Sequence, residues 1–541
     1  MEVHCTIRPT GNPLADAYMS GAAAAQRLYA YDVHDPQFAS LRAQDLDQSY
    51  DEMQRPKLVA ALRSYAMELG AETYAEPLLQ KLATPGCLVV VTGQQAGIFT
   101  GPAYTLYKAV STVALARQLE AKLGRPVVPV FWLAAEDHDF DEAASAWYVT
   151  RGGQLSRAVV KDRPPLRTPV GRHQISARDI EQMFAQLAAE LPDGMYREDV
   201  LREARAAYDR TNNMADGFAA LLAHWLQDCP LLFVNPLRRD VRELMQPAFA
   251  RVLERPELFV QAAKAGAAAV RASGYTPQVD VHDHHSLIFL VDDDRRSAID
   301  LTDDSLMFTL RDRQEVVARS DIYHRLQKHP EDFSAGVLYR PVTQDELFPV
   351  LAYVGGAAEV AYHGMMGPVF AAAGRKVPPL FLRSRVLQVP RSVKRALASY
   401  QIEIADVQRA GLLEEWLVRD VQPSLDQVLG DLERAVTELV SDNSAYFVSI
   451  DDTMHKAVAK TKLALARDVQ RLRSKAYTAL RRRHAQVVAT HSELTAWLWP
   501  EGHEQERLLS PLSLLAKYGT GWLLELSQRD LKMEEMTTIH W

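Results

Sequence analysis

At 541 residues the chain is too long for one hydrophobic core, so its length implies several domains or a core carrying large insertions. Its apolar and charged fractions, 48% and 24%, are those of a globular protein, and a net charge of −8 offers no overall basic footprint for nucleic acid. No run reaches the ~18 apolar residues of a membrane span, the N-terminus lacks a basic-then-apolar signal pattern, and Cys5, Cys87 and Cys229 are too scattered for a disulfide framework; a soluble cytoplasmic protein with free thiols is expected.

Residues 14–83 read as helical, with alanines at 22–25 leading into an amphipathic stretch through Leu58, Leu62, Tyr65 and Leu69. A buried strand is expected at 87–92, then a glycine-rich turn, a helix over 104–123 stopped by Gly124, and a second buried strand over 127–134. Strand, loop, helix, strand is a βαβ unit with a right-handed crossover. A hairpin of 146–150 with 156–160 closes the first segment, 1–160, read as N-terminal helices plus the first half of an α/β core.

Pro164, Pro165 and Pro169 mark a change of module, and 161–228 reads as a helical insert. The core continues over 229–277, with a strand at 231–234 and a helix over 239–253. Residues 278–335 alternate as a β-rich insert, with strands 286–291 and 297–301 flanking the turn Asp292-Asp293-Asp294-Arg295. The last part of the core, 336–390, holds a strand at 348–354, Gly355-Gly356 and a helix over 357–373.

Long helices follow. Leu425, Leu429, Leu432, Val436 and Leu439 repeat at coiled-coil spacing, as do Met454, Val458, Thr461 and Leu465. The first set travels with Asp426, Asp431, Glu433 and Glu438, the second with Lys456, Lys460, Lys462, Arg467, Arg471 and Arg473, so 391–500 is expected to fold as an antiparallel coiled-coil hairpin. Exposed coiled coils pair, which predicts a homodimer; the run Arg481-Arg482-Arg483 is read as a solvated helix face rather than a nucleic-acid contact. Residues 501–541 are expected to dock back as a C-terminal segment.

Three clusters carry candidate chemistry. In the first, Gly93, Gly97 and Gly101 recur every four residues after a strand, a spacing that matches neither the dinucleotide fingerprint nor a Walker A loop. Glycines still let backbone amides approach a ligand, Gln94 and Gln95 supply hydrogen bonds, and Lys108, one turn into the helix, is placed to meet a carboxylate or phosphate. In the second, Glu136, Asp137, His138 and Asp139 follow a strand containing Trp132. So many carboxylates beside one imidazole suit an ammonium group, general base work or a metal, and no metal site is expected because no HExxH or paired CxxC supplies distant ligands. In the third, Arg340 precedes the strand bearing Tyr353, and Gly355-Gly356 opens a helix with Glu359 in its first turn, where it either answers the helix dipole or holds a ligand cation. Arg340 and Arg383 are candidate anion clamps. His282, His284 and His285 read as surface residues.

The stretches TGQQAGIFTGPAYTLYKA at 92–109, VPVFWLAAEDHDFDE at 128–142, GYTPQV at 274–279, LYRPVTQDELFPVLAYVGGAAEVAYH at 338–363 and PEGHEQERLLSPLSLLAKYG at 500–519 closely resemble the bacillithiol biosynthesis cysteine-adding enzyme family, the cysteine ligases. The resemblance implies a Rossmann-like parallel-sheet core, akin to class I aminoacyl-tRNA synthetases and nucleotidyltransferases, with inserted connecting domains and a dimerising C-terminal α-helical coiled coil. It implies addition of cysteine to the glucosamine amine of glucosaminyl-malate, the last step of bacillithiol synthesis. Carried onto this sequence, it makes Gln94, Gln95, Phe99, Gly101, Tyr104, Lys108 and Trp132 pocket residues beside Glu136, Asp137, His138 and Asp139, with Tyr353, Gly355, Gly356, Glu359 and Tyr362 closing the pocket. Two loops depart from the family: its usual GGPGE is Gly355-Gly356-Ala357-Ala358-Glu359, and its usual GQQPGLFGGP is GQQAGIFTGP.

The expected mechanism activates cysteine's carboxylate, as an adenylate, for attack by the sugar amine, with His138 or a neighbouring carboxylate as base. ATP, giving ADP or AMP, is the expected cosubstrate, with no metal beyond a Mg that accompanies the nucleotide; the chain carries neither HxGH nor KMSKS signatures. A metal-assisted hydrolase using Glu136–Asp139 and a non-enzymatic coiled-coil ligand sensor are the alternatives. The sequence leaves open whether Gln505, Arg507 and Lys517 meet a ligand.

Overall fold

Five parallel strands form the central sheet of the protein, seen in a computed structural model that describes residues 2–165, 167–292, 295–304, 306–419 and 421–541. They are β1 (Leu88–Gln94), β2 (Val127–Leu133), β3 (Leu232–Val234), β4 (Val350–Gly355) and β5 (Leu380–Leu382), in the order β5-β4-β1-β2-β3. Runs such as Val89-Val90-Val91 and Val127-Val128 are buried throughout, because helices cover both faces of a parallel sheet and leave no solvated side for alternation. Helix α1 (Tyr104–Leu123) crosses between β1 and β2 and ends at Gly124, whose positive φ of 63° lets its N–H reach the Glu120 carbonyl at 2.9 Å.

The strand order decides where a ligand crevice opens. From β1 the chain builds outward through β2 to β3, then returns to place β4 on the other side of β1. The switch point lies between β1 and β4, where their carboxyl ends diverge from helices on opposite sides. Three further helices frame it: α2 (Arg239–Glu254), α3 (Arg340–Leu347) and α4 (Ala357–His363).

Insertions fill the connections. Helices Ala177–Glu190, Arg197–Arg210 and Met214–Trp225 separate β2 from β3. After α2, a helix over Pro256–Ala272 precedes an antiparallel sheet of His285–Asp292, Arg295–Leu301, Met307–Leu310, Glu315–Ala318 and Phe333–Ala335. Asp293 and Asp294 of the expected turn lie outside the described residues. The helix expected over 357–373 is two: α4 stops at Gly364 and Gly367–Ala372 begins anew, with Pro368 in its first turn. Strand Glu2–Ile7 pairs antiparallel with Glu535–His540, a contact between chain ends that local pattern does not announce.

Residues to Arg151, Leu155–Gln388 and Gln505–His540 make one unit, and Val389–Glu504, with residues 152–154 and 541, a second. In the second unit Leu425–Asp442 runs against Met454–Arg483. Their partners, Asp426 with Arg473, Glu433 with Gln470 at 3.3 Å and Ser441 with Lys462 at 3.0 Å, step in opposite directions along the two helices, so the hairpin is antiparallel.

The loop after β1 holds Phe99 and Thr100 at φ of 50° and 69°, a region that costs an L side chain about 1–3 kcal/mol. Thr100 also buries its hydroxyl without a hydrogen-bond partner among the described residues, and it stands where the resembling family's usual sequence has glycine. Thr100→Gly is therefore expected to stabilise the protein by about 1 kcal/mol, read as a raised urea midpoint with unchanged slope; a lowered midpoint would refute the strain.

Candidate active site

The carboxyl ends of β1, β2 and β4 open onto a cavity of about 210 Å³ lined by Gly93, Gln94, Gln95, Trp132, Ala134, Asp137, Glu142, Arg340, Gln344, Tyr353 and Glu359. Gly93 is required because a Cβ there would sit 2.9 Å from the Trp132 carbonyl oxygen, so glycine lets the end of β1 lie close on β2. The clusters that follow three different strands thus meet in one place.

A buried ion pair between Lys108 of α1 and Glu359 of α4 spans the switch point. Every proton of the ammonium is used: besides Glu359 it donates to the Gly93 carbonyl at 2.9 Å and to Gln94 Oε1 at 2.8 Å. Glu359 also accepts from the Tyr353 hydroxyl and the Gly356 N–H, both at 2.8 Å, and Gln94 donates to the Tyr104 hydroxyl at 3.0 Å. Burial pulls Lys108 below its ordinary range, opposed by Glu359. Burial acts to raise Glu359, but the Lys108 charge and the Gly356 amide outweigh it and hold the carboxyl below its ordinary range. Lys108, expected to meet a ligand anion, is instead committed to this network.

The acidic turn after β2 sorts its side chains three ways. Glu136 points inward to a fully buried ion pair with Arg242 of α2. Asp139 caps the short helix Phe140–Ala143, accepting from the Glu142 N–H at 3.2 Å, and its carbonyl accepts from Gln95 Nε2 at 2.7 Å. Asp137 and Glu142 reach the cavity, and burial with the neighbouring Asp139 and Asp137 charges raises Glu142 above its ordinary range. His138 lies beside the cavity, its Nδ1 3.8 Å from Asp137 Oδ1; burial and then the Arg296 charge lower its pKa.

Arg340, the first residue of α3, also lines the cavity and faces Tyr362, Tyr353 and Glu359, which keep it charged although burial acts against it. Gln344 follows one turn on and lines the same cavity; the i, i+4 relation to Arg340 is the sequence signal for it. Burial pushes the Tyr362 phenol up to about 12. Trp132 is fully buried, with its indole N–H unpartnered among the described residues.

Two expected ligand contacts are spent elsewhere. Arg383 makes a bidentate pair with Glu506, at 2.9 and 2.7 Å, and stacks on Tyr104 with its guanidinium 5.4 Å from the ring centre, so it is no free anion clamp. Phe99 packs into the core against Phe184 and Tyr208, whose hydroxyl accepts its N–H at 2.9 Å. Gly101, at φ 64° and ψ −155°, serves the turn. Gln505 brackets the backbone of Gln388, accepting its N–H at 2.9 Å and donating to its carbonyl at 2.8 Å. Among the described residues, His, Cys, Asp and Glu side chains do not gather in groups of three or more suited to a metal ion.

Removing one partner of a buried ion pair leaves the other charge uncompensated, at a cost of about 3–5 kcal/mol. Lys108→Met is expected to destabilise by that amount, and Lys108→Met/Glu359→Gln to recover part of it; additive losses in denaturant unfolding would show that the pair is uncoupled. The stability contributed by the lowered Glu359 pKa is present above ~4.3 and is lost as pH falls through its folded value.

Two family models match along the chain: "Bacillithiol biosynthesis BshC, N-terminal Rossmann-like domain" over residues 1–384 and "Bacillithiol biosynthesis BshC, C-terminal coiled-coil domain" over residues 386–540. A relative from Salinibacter ruber, named "Putative cysteine ligase BshC", is 33% identical over 454 residues, covering 83% of this chain and 82% of its own. One of the same name from Heliobacterium modesticaldum is 30% identical over 533 residues, covering 94% of each. Among solved structures, Thermus thermophilus arginyl-tRNA synthetase aligns over 84% of this chain and 85% of its own at 14% identity, with a TM-score of 0.22, too low to bear on the fold. With a Rossmann-like core, a coiled-coil unit and relatives matched over most of their length, the chain belongs to the bacillithiol biosynthesis BshC family, the cysteine ligases.

Proposed function

We propose that the chain joins the carboxyl group of cysteine to the amine of glucosaminyl-malate, forming the amide that completes bacillithiol. The supporting observation is a cavity at the switch point lined by Asp137 and Glu142 together with Arg340. Such a cavity suits an amine and an anionic group held together. An amine attacks only after losing its proton, so a carboxylate must both hold the ammonium and accept from it. Asp137 lies in the cavity for that role, and His138, neutral near pH 7 because its pKa is lowered, stands beside it to take the proton onward. Negative charge developing on the acyl oxygen has the Gln344 amide, which lines the cavity, as a donor.

A carboxylate does not acylate an amine until one oxygen becomes a leaving group. ATP is the proposed cosubstrate: a cysteine carboxylate oxygen attacks the α-phosphorus, pyrophosphate leaves, and the amine then displaces AMP from the acyl carbon. The second unit supports a second copy as partner, since Leu439, Ile450, Leu463 and Leu472 of the hairpin stay largely exposed; a monomer in sedimentation analysis would refute the homodimer.

Incubation of cysteine and glucosaminyl-malate should give amide with ATP and none without it, with AMP rather than ADP released; ATP-independent product would eliminate the adenylate. In the same assay kcat/KM should fall on the acid side with a midpoint below ~6.5, the ordinary imidazole value, because protonated His138 cannot accept. His138→Ala should lower turnover about 10²-fold and remove that limb; near-normal activity with an unchanged profile would exclude it.

A further inference from the structure

We infer that Arg296 and Arg340 together hold the carboxylates of the amine-bearing substrate, so that the β-rich insert supplies a specificity residue to the core; this rests on the ligase reading above. Arg296 lies in strand Arg295–Leu301 and is 9% exposed. Its guanidinium stacks on Phe289 at 3.8 Å, donates from Nε to Ser334 Oγ at 3.0 Å and from Nη2 to the Ala335 carbonyl at 3.0 Å. Those anchors sit in strand Phe333–Ala335, which leads through Gly336 into α3, where the Arg340 N–H donates to the Gly336 carbonyl at 2.8 Å. One short segment therefore fixes both guanidiniums.

The other buried cations nearby are answered by carboxylates: Arg242 by Glu136, Lys108 by Glu359, Arg383 by Glu506. Neither Arg296 nor Arg340 has an ion-pair partner among the described residues, and Arg296 Nη1 makes no hydrogen bond there. Burial lowers the Arg296 pKa, with Arg340 and Arg242 repelling it while Glu136 and Asp137 act in its favour. Two buried cations near enough to repel, with no carboxylate in ion-pair contact among the described residues, are costly, and an anion between them offsets the cost.

The chemistry of the reaction selects which anion. Cysteine has one carboxylate, and activation converts it to a neutral acyl group, so a site of two permanent cations would lose its partner during catalysis. The malyl group of the acceptor carries two carboxylates that take no part in the bond change. The planar forks of two arginines match such a pair, bidentate to each. Phosphate oxygens share that chemistry, and a nucleotide is the source from which the test must separate it.

Amide formation by the full-length protein is measured with glucosaminyl-malate and with methyl glucosaminide, which keeps the amine and lacks both carboxylates. Arg296→Gln should raise KM for glucosaminyl-malate about 10–100-fold while leaving KM for cysteine and ATP near wild type, and should shrink the preference over methyl glucosaminide by the same factor. An unchanged preference, or a change confined to KM for ATP, would overturn the inference. Arg340→Gln carries the same comparison should Arg296→Gln fail to fold. Calorimetry of glucosaminyl-malate with each variant, in the absence of cysteine and ATP, separates the two readings. Wild-type binding lost in both variants without any turnover would sink the ligase reading and keep this site; turnover with wild-type affinity in both variants would do the reverse.

Discussion

The buried pair of Lys108 and Glu359 is the constraint on which the site depends. It joins the helix after β1 to the helix after β4 across the point where the strand order reverses, and it saturates both ions with further hydrogen bonds. A buried ion pair adds little net stability over apolar packing, but it tolerates few alternative arrangements once formed. Gln94, Tyr104 and Tyr353 are oriented by it, so the shape of the cavity floor follows from one electrostatic contact. Among the described residues, what lines the cavity outside this network is then defined: the Glu142 carboxyl, Asp137 with one oxygen on the His138 N–H, Gln344 and Arg340.

A second charged cluster places α3. Asp345, buried in α3, is bound by Arg42 and by Arg375, and Arg42 Nε also donates to the Val350 carbonyl at 3.0 Å where β4 begins. Helix α3 is thereby fastened to the strand beside the switch point, with Arg340 at its start over the cavity. A residue in the helix Phe38–Ser49 thus fixes the placement of one nearly three hundred positions later. The inserts belong to the same logic, since the β-rich sheet delivers its last strand directly into α3.

Much of the core was legible because local rules govern it. Buried parallel strands write themselves as apolar runs, so β1, β2 and β4 stand out beside their glycine and acidic turns, and Gly124 marks the end of α1. The coiled-coil spacing and its opposite charges likewise specify the hairpin. Illegible from pattern were β5, three residues long, and the pairing of Glu2–Ile7 with Glu535–His540: the first alternates polar and apolar residues, but alternation does not name a partner strand more than five hundred positions away. Broken helix 357–373 shows the limit of composition: alanines favour continuity, yet Gly364 and the Gly367-Pro368 step end one helix and start another.

For the site, the sequence by itself determined which residue types gather at strand ends, since glycine, glutamine and clustered carboxylates there are poor choices for a core and good ones for a ligand. It could not determine which of them stay free. Lys108, Arg340 and Arg383 are alike on paper, each a cation near a predicted crevice. Only the tertiary structure gave Lys108 to Glu359 and Arg383 to Glu506 and left Arg340 and Arg296 without an ion-pair partner among the described residues, because ion pairing is settled by distances between segments up to hundreds of residues apart. Counter-ions are a property of the fold, and in this protein their distribution separates cations committed to ion pairs from cations without one among the described residues.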